Sequence, residues 1–246
     1  MGNTLAQKQT KNINRGLRLL LVLFIALSLN LIYLSAAIQY GATDKSSFDK
    51  SFKALDSRAK VGLNEADFNA VEKQLIDYVG LKTETFSVPV TIDGKKIDFF
   101  NDKERAHMVD VRSLFVLNDR VLKGALVLIL TLYLLGRYAL KQRQVLIDGL
   151  AISGAFMMVF VLVIGILASQ DFTAVFTKFH ELFFTNDLWL LDPATDRMIV
   201  LLEEQFFLDM AVHIGLYTAL LAMFGTVVGL LGKKSNWRTL KRRSPQ

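Results

Sequence analysis

Four long apolar runs alternate with polar segments along the chain, and each run is long enough to cross a membrane. They are residues Leu17–Ile38, Val121–Leu140, Leu146–Ala168 and Phe206–Leu231. Crossing a hydrocarbon core of about 30 Å takes roughly 20 helical residues. The pattern therefore predicts four transmembrane helices. The first run is too long and continuous for a cleaved secretion signal, and we expect it to remain as an anchor.

The polar segment between the first two runs carries signals of both helix and strand. Asn64 is a candidate helix N-cap, and apolar residues then recur at helical spacing until Gly80. From Thr85 onward apolar and polar residues alternate, and Asp93-Gly94 is a hairpin-turn signal. We expect a small α+β domain in this segment.

A capping box opens the helix that leads into the second run. Asn101 and Glu104 have the spacing of an N-cap residue and its partner three positions later. His107 and Asp110 follow on one stripe of the same helix, because residues three and four apart are neighbours. His107 is therefore expected within a few turns of the membrane surface.

The segment between the third and fourth runs is not an ordinary loop. Trp189 stands where an indole would meet the lipid headgroups. Asp192-Pro193 reads as an N-cap and a first-turn proline. Met198, Ile199, Leu201 and Leu202 then predict a second short interfacial helix before Phe206. Before them, five apolar residues at helical spacing predict an amphipathic interfacial helix with His180 at its edge: Phe172, Val175, Phe176, Phe179 and Phe183.

Basic residues assign a side of the membrane to the two ends of the chain. Cytoplasmic segments of membrane proteins are enriched in Lys and Arg, so both termini are expected in the cytoplasm. The formal net charge of +6 is then largely topological and does not indicate nucleic-acid binding. The basic residues concentrate in two acid-free tails and in the loop between the second and third runs: Lys8, Lys11, Arg15, Arg18, Arg137, Lys141, Arg143, Lys233, Lys234, Arg238, Lys241, Arg242 and Arg243.

The expected fold is a mainly α membrane protein with four transmembrane helices, a small α+β extracytoplasmic domain and interfacial helices. Five segments follow from the pattern: residues 1–39, a cytoplasmic tail and first helix; 40–119, the extracytoplasmic domain; 120–168, helices two and three; 169–205, the outer interfacial segment; and 206–246, the fourth helix and a basic tail.

Two of the three histidines lie in these outer segments. Histidine titrates near neutral pH, so His107 and His180 on one side of the membrane suggest proton transfer. Two structural interpretations compete with this: His107 paired with Asp110 for helix stability, and His180 as an ordinary interfacial residue. His213 lies four residues after Asp209, on one helical face, and we interpret that pair as structural.

The absence of cysteine excludes a disulfide and a thiol nucleophile. A zinc or iron site built from His107, Asp110 and His180 is an alternative, although their spacing matches no known ligand motif. No cofactor is expected. Acid–base catalysis without a covalent nucleophile suits a transfer in which the substrate supplies both acyl donor and acceptor.

The sequences around the two histidines resemble the bacterial lipoprotein intramolecular transacylase family. Residues 104–111 read Glu-Arg-Ala-His-Met-x-Asp-Val, and residues 179–193 read Phe-His-x-x-Phe-Phe-x-Asn-Asp-x-Trp-x-Leu-Asp-Pro. The resemblance covers nearly the whole chain. It implies an enzyme that moves the sn-2 acyl chain of a diacylglyceryl lipoprotein to the α-amine of its N-terminal cysteine. The product is a lyso-form lipoprotein, N-acylated and S-monoacylglycerylated.

The resemblance also implies a setting and partners. The reaction occurs at the outer face of the cell membrane, mostly in Gram-positive bacteria, and its partners are diacylglyceryl lipoproteins and membrane lipid. No nucleic acid and no obligate protein partner is expected.

The residue types suggest roles within such a site. His180 is the preferred proton acceptor, and His107 stabilises the oxyanion or assists proton transfer, although exchanged roles remain open. Supporting roles fall to five residues: Asp110 orienting His107, Asn186 as a further donor, Arg105 and Arg112 near the lipid headgroup, and Trp189 at the interface.

Two other classes of function remain open from the residues alone. One is a non-enzymatic four-span sensor or assembly factor, for which each histidine can be replaced without loss of function. The other is a metal-dependent membrane hydrolase, which would lose activity on chelation.

Overall fold

The computed structural model describes the backbone of residues 2–243 and the side chains of residues 13–234. Six basic residues that assign the tails to the cytoplasm lie outside the described side chains: Lys8, Lys11, Arg238, Lys241, Arg242 and Arg243.

Helices dominate the described backbone. In chain order the elements are α1 (Gly2–Gly41), α2 (Lys45–Ala54), α3 (Ser57–Lys60), α4 (Glu65–Val79), β1 (Pro89–Ile92), β2 (Lys95–Asp98), α5 (Asp102–Leu134) with a π-helical turn (Leu135–Ala139), α6 (Val145–Gln170), α7 (Phe172–Phe183), α8 (Arg197–Leu201) and α9 (Glu204–Arg243). By length and composition, α1, α5, α6 and α9 can each cross a membrane. They contain the four predicted spans, and the chain is a multi-pass membrane protein.

The chain divides into two compact units. The first, which we call the span unit, comprises α1 up to Ala36, residues Val121–Leu162 and the chain from Thr218 onward. Its core centres on α1, since half of the apolar window of α1 is buried, against 11–22% in the other three spans. Large apolar side chains cover its exterior, as expected of a surface that faces lipid.

Charged groups near the ends of three helices meet in the span unit. The Asp148 carboxylate accepts from Arg18 at 2.6 Å and lies 3.3 Å from Lys233 Nζ. These residues lie near the start of the apolar part of α1, in the first turn of α6 and near the end of the apolar part of α9. A carboxylate at the end of a span is therefore matched by two cations.

The second unit comprises Ala37–Arg120 and Val163–Tyr217, and we call it the outer unit after the two predicted outer segments, 40–119 and 169–205, that make up most of it. Its core is rich in aromatic rings, including Phe52 stacked on Phe206 with ring centroids 5.1 Å apart. Asn64 caps α4 by accepting from the Asp67 N–H at 2.9 Å, as predicted. Since α4 packs its apolar face into this core, the cap and the helical pattern are both confirmed.

The predicted hairpin is confirmed with shorter strands. Strands β1 and β2 pair antiparallel, with Pro89 opposite Asp98. Asp93 and Gly94 form the turn with φ of 51° and 74°, a conformation that glycine adopts without steric cost. The hairpin ends immediately before the capping box of α5, which positions the start of that helix.

Two details of the sequence analysis were wrong or incomplete. Helices α2 and α3 were not predicted. Asp192-Pro193 does not begin a helix: the Asp192 carboxylate accepts from the Ala194 N–H at 2.9 Å, closing a local turn. Helix α8 begins five residues after Asp192, at Arg197, with Asp196 as its N-cap. An aspartate that bonds to its own backbone two residues on favours a turn as readily as a helix start.

Candidate functional site

His107 lies in the part of α5 that precedes its apolar run. The helix has 33 residues, about 50 Å at 1.5 Å per residue, so residues 102–120 extend well beyond what a bilayer core needs. The capping box forms as predicted: the Asn101 N–H donates to Glu104 at 2.7 Å, and the Glu104 N–H donates to the Asn101 side chain at 2.9 Å. His107 follows one turn later and is 7% exposed.

His180 lies near the end of α7, the amphipathic helix predicted from its phenylalanine stripe. Its imidazole is also 7% exposed. The nitrogen Nδ1 lies 2.7 Å from the Phe176 carbonyl oxygen. Because a carbonyl only accepts hydrogen bonds, Nδ1 carries the proton in this contact, and Nε2 of the neutral ring keeps its lone pair.

The two imidazoles come together from segments 73 positions apart in the sequence. Their ring centroids are 6.2 Å apart, and the planes are inclined by 29°. The Phe184 ring contacts both imidazoles, with its centroid 5.2 Å from that of His107 and 5.5 Å from that of His180. Trp189 stacks on the His180 ring at 4.9 Å. The histidine pair therefore sits in an aromatic pocket from which most water is excluded.

This burial keeps both rings neutral at ordinary pH. Burial, with a smaller contribution from the neighbouring His180, lowers the pKa of His107 to about 4, although Asp110 opposes the shift. Burial also lowers the pKa of His180, against the raising effect of its hydrogen bond to Phe176. A neutral imidazole has one nitrogen that can accept a proton and one N–H that can donate, although a pKa of about 4 makes His107 a weak base at neutral pH.

Asp110 and Asn186, for which the sequence analysis suggested the separate roles of orienting His107 and donating a hydrogen bond, are bonded to each other. The Asn186 amide donates to the Asp110 carboxylate at 2.9 Å. Among the described residues, Nδ1 of His107 has no hydrogen-bond partner, so Asp110 does not orient His107 through that nitrogen. The Asn186 side-chain oxygen accepts from the Leu188 N–H at 3.1 Å, which stabilises the turn leading to Trp189.

The two arginines are engaged with the protein itself. Arg105 donates to the Phe100 carbonyl at 2.5 Å, lies 3.2 Å from the Asp98 carboxylate and also pairs with Asp102. Arg112 donates to the Thr83 carbonyl at 3.3 Å and lies over the Tyr78 ring, 5.4 Å from its centroid. Both guanidinium groups thus join α5 to the rest of the outer unit.

The metal-site alternative has no structural support. Within residues 13–234, no group of three or more His, Asp or Glu side chains is arranged to hold a metal ion. Asp110, the carboxylate of the proposed set, is instead bonded to Asn186.

Sequence reasoning missed three contributors to the pocket. Phe176 supplies the carbonyl that fixes the His180 tautomer, and Phe184 contacts both imidazoles. The phenylalanine stripe indicated Phe176 as apolar surface, but a backbone acceptor leaves no signal in side-chain spacing. Glu104, fully buried one turn before His107, was recognised only as part of a capping box.

Sequence comparison finds a protein family and a relative that are similar to this chain. The family model for the lipoprotein intramolecular transacylase Lit matches residues 23–207, three quarters of the chain. An uncharacterized protein of Aquifex aeolicus is 25% identical over 219 residues, which cover 85% of this chain and 95% of the relative.

Solved structures are similar over nearly the whole fold. The in meso structure of the membrane integral lipoprotein intramolecular transacylase Lit from Bacillus cereus has a TM-score of 0.76 at 19% identity, covering 90% of this chain and 99% of that one. The structure of a variant of the same protein, with one histidine replaced by arginine, has a TM-score of 0.72 at 19% identity. The match covers 94% of this chain and 99% of that one. At such identity the similarity establishes the fold: four spanning helices with a small sheet-containing outer unit.

Proposed function

The chain belongs to the lipoprotein intramolecular transacylase family, and on this premise we propose that His107 and His180 catalyse transfer of an acyl chain from oxygen to nitrogen within one lipoprotein molecule. The acyl chain leaves the sn-2 ester of a diacylglyceryl group and joins the α-amine of the N-terminal cysteine. The sensor and metal-hydrolase alternatives are not favoured. The observation that carries the proposal is the pairing of two buried, neutral imidazoles 6.2 Å apart.

His180 is the proposed base. Its Nδ1 proton is committed to the Phe176 carbonyl, which leaves Nε2 free to accept a proton from the attacking amine. As the C–N bond forms and the carbonyl carbon becomes tetrahedral, the base holds the amine proton. It then delivers the proton to the glycerol oxygen as the C–O bond breaks. Proton and acyl group are both conserved, so no water or cofactor is consumed.

His107 is the proposed partner of the developing oxyanion. A neutral imidazole carries one N–H, and a preorganised donor at such a position lowers the barrier by roughly 3–4 kcal/mol. Because its pKa is lowered to about 4, the ring is neutral at ordinary pH and would meet the oxyanion through its one N–H. Aromatic walls from Phe184 and Trp189 support the exclusion of water during the transfer.

The five supporting residues are proposed to position this pair. The hydrogen bond from Asn186 to Asp110 joins the segment after α7 to α5, and Trp189 stacks on His180. Arg105 and Arg112 hold α5 in the outer unit by donating to backbone carbonyls. These contacts favour a role for the two arginines in positioning α5 over direct binding of a lipid headgroup.

The proposed orientation places both termini in the cytoplasm and the histidines at the outer face of the cell membrane. The contacts of Asp148 with Arg18 and Lys233 support a common side for the starts of the first and third spans and the end of the fourth. Because basic segments favour the cytoplasm, that side is assigned to it. The proposed domain boundaries remain 1–39, 40–119, 120–168, 169–205 and 206–246. The proposed partners are diacylglyceryl lipoproteins and membrane lipid.

The test is the mass and fragmentation of a lipoprotein N-terminal peptide from bacteria that make diacylglyceryl lipoproteins and express this chain. We expect an N-acylated cysteine carrying a monoacylglyceryl group, and its loss with His180→Ala or His107→Ala. His213→Ala is the matched control, a histidine of the same unit outside the aromatic pocket. Full activity in both His107→Ala and His180→Ala, with both variants present in the membrane, would refute the mechanism.

A further inference from the structure

Glu104 has a carboxylate that does more than cap its helix. It is 0% exposed, and its Oε2 accepts from the Asn101 N–H in the capping box. The other oxygen, Oε1, accepts from the Met198 N–H at 2.5 Å, 94 positions away in the sequence. Met198 lies in the first turn of α8, so one buried carboxylate joins the first turns of two helices.

Further contacts surround this bridge. The Asn101 amide donates to Asp196 at 2.7 Å, and Lys103 Nζ donates to the Leu190 carbonyl at 2.6 Å. Asp196, itself 3% exposed, also accepts from the Asp192 N–H at 2.8 Å. The first turn of α5 is thus bonded to several points of the segment 190–198, which we call the clasp segment.

The clasp segment adjoins the aromatic part of the candidate site. Leu190, which Lys103 holds by its carbonyl, directly follows Trp189, the ring that stacks on His180. On the other side of the bridge, His107 lies one helical turn after Glu104. The bridge therefore ties the helix that carries His107 to the segment that directly follows Trp189, the ring stacked on His180.

Burying a carboxylate is unfavourable unless its hydrogen bonds are satisfied, so a helix that needs only a cap has no reason to bury its acid completely. Helix α4 has a comparable cap that stays partly exposed: Asp67 bonds to Asn64 and to the Thr91 N–H of β1 at 3.0 Å. The complete burial of Glu104 indicates a geometric requirement beyond helix capping.

We infer that Glu104 is a positioning residue for the transacylation: its bridge from α5 to α8 holds His107 and the Trp189–His180 stack at the spacing that the reaction needs. The inference rests on the proposed function of the two histidines. Misplacement of a reacting group by about 1 Å lowers rates by roughly 10²-fold, which sets the scale of the expected effect.

Glu104→Gln tests this inference in the purified full-length protein. Glutamine keeps the shape, but its NH₂ group cannot accept one of the two N–H bonds. With a synthetic diacylglyceryl lipopeptide bearing a free α-amine, we expect kcat to fall about 10- to 10²-fold while KM changes less than about twofold. A loss that appears in KM alone would contradict positioning of the catalytic pair.

Trp189 provides a readout independent of turnover. The chain has two tryptophans, so Trp237→Phe leaves Trp189 as the one fluorophore of its kind. In that background, Glu104→Gln is expected to shift Trp189 emission and increase its quenching by acrylamide. The matched control is Asp67→Asn, which weakens the comparable cap of α4 and should alter neither kcat nor Trp189 emission.

A second variant covers the case in which Glu104→Gln does not fold. Asn101→Ser keeps an N-cap oxygen but loses the amide that donates to Asp196, and the same changes are expected at smaller size. Normal kcat with unchanged Trp189 emission in the folded variants would overturn the inference. If His180→Ala keeps full activity, the mechanism fails instead, whereas the response of Trp189 emission still reports on the bridge.

Discussion

The outer unit contains two places where a histidine and a carboxylate lie near each other, and they differ in how they are built. His107 and His180 come from distant segments and face each other inside an aromatic pocket. His213 and Asp209 are four residues apart on α9, yet the Asp209 carboxylate is occupied by Ser51 at 3.0 Å and Gln205 at 2.8 Å. Among the described residues, Nδ1 of His213 has no hydrogen-bond partner, and the same is true of Nδ1 of His107, so this feature does not distinguish the two places.

The difference shows what makes a histidine useful for catalysis. His213 lines a small cavity of about 10 Å³ beside Ser47 and Ser51, room for about one water molecule. At the other place, burial lowers both pKa values, a backbone carbonyl fixes one tautomer, and aromatic rings exclude water. Proximity in sequence is therefore a weaker guide than a neutral, preorganised environment.

The largest expected effect is the loss of either buried imidazole. His180→Ala should lower the rate of lyso-form production about 10²- to 10⁴-fold, the usual range for a general acid–base group. Groups that act together give non-additive losses, so the double variant His107→Ala, His180→Ala should be little worse than His180→Ala alone. Initial rates with a lipopeptide substrate measure both. If the fold-decrease in rate of the double variant equals the product of the two single fold-decreases, the imidazoles act independently.

The next effect is the contribution of buried His107 to the pH dependence of stability. His107 has a pKa of about 4 when folded and an ordinary value of 6.5 when unfolded, so between these pH values only the unfolded state binds the proton. Stability should therefore decrease as the pH falls from 6.5 toward 4, by about 3 kcal/mol in total.

Thermal unfolding of the detergent-solubilised protein at pH 7.5 and pH 5 measures this dependence. The Tm difference should shrink in His107→Gln and stay unchanged in Asn186→Ala, which alters the pocket without removing a titratable group. An equal difference in wild type and His107→Gln would mean that His107 is not buried as a neutral ring.

Much of the fold could be predicted because it follows from periodic patterns. The four spans follow from apolar runs longer than a bilayer, and α7 from the helical spacing of its phenylalanines. The Asn64 cap and the Asp93-Gly94 turn follow from local chemistry that acts within a few residues. Helix α2 does carry local signals, an Asp44 N-cap and the apolar pair Phe48 and Phe52 at helical spacing, which the sequence analysis missed. Helix α3 has only four residues and no side-chain cap bond, too short for a periodic pattern.

The candidate site could be predicted only in part, because local sequence patterns do not reveal contacts between distant segments. His107 and His180 were recognisable as residue types placed on one side of the membrane. Their contact depends on tertiary structure, as do the bond between Asp110 and Asn186 and the bridge from Glu104 to Met198. The pairing of Asp209 with Ser51, 158 positions apart, likewise explains why helical spacing alone suggested a different partner.

A smaller effect is expected from the hydrogen bond between Asn186 and Asp110, which joins the segment after α7 to α5. Asn186→Ala removes the donor to Asp110, and a typical net hydrogen bond of about 1 kcal/mol corresponds to roughly a fivefold decrease in kcat. Asp110→Asn retains an oxygen acceptor and should stay within about twofold of wild type. The double variant Asn186→Ala, Asp110→Ala should lose little more activity than either single alanine variant, because both changes remove the same hydrogen bond. If the two single losses add in the double variant, this contact does not contribute to activity.

The smallest effect should come from the second place, where histidine and carboxylate are neighbours in sequence. His213→Gln should leave kcat and KM within about twofold of wild type, because the ring faces a single-water cavity and not the aromatic pocket. Asp209→Asn should lower Tm modestly, since an amide keeps one acceptor for Ser51 but places its NH₂ group toward Gln205. Equal rates with a lower Tm would assign the pair to structure. A loss in His213→Gln as large as that of His180→Ala would reverse the comparison, because a histidine without a preorganised pocket would then be as important as one within it.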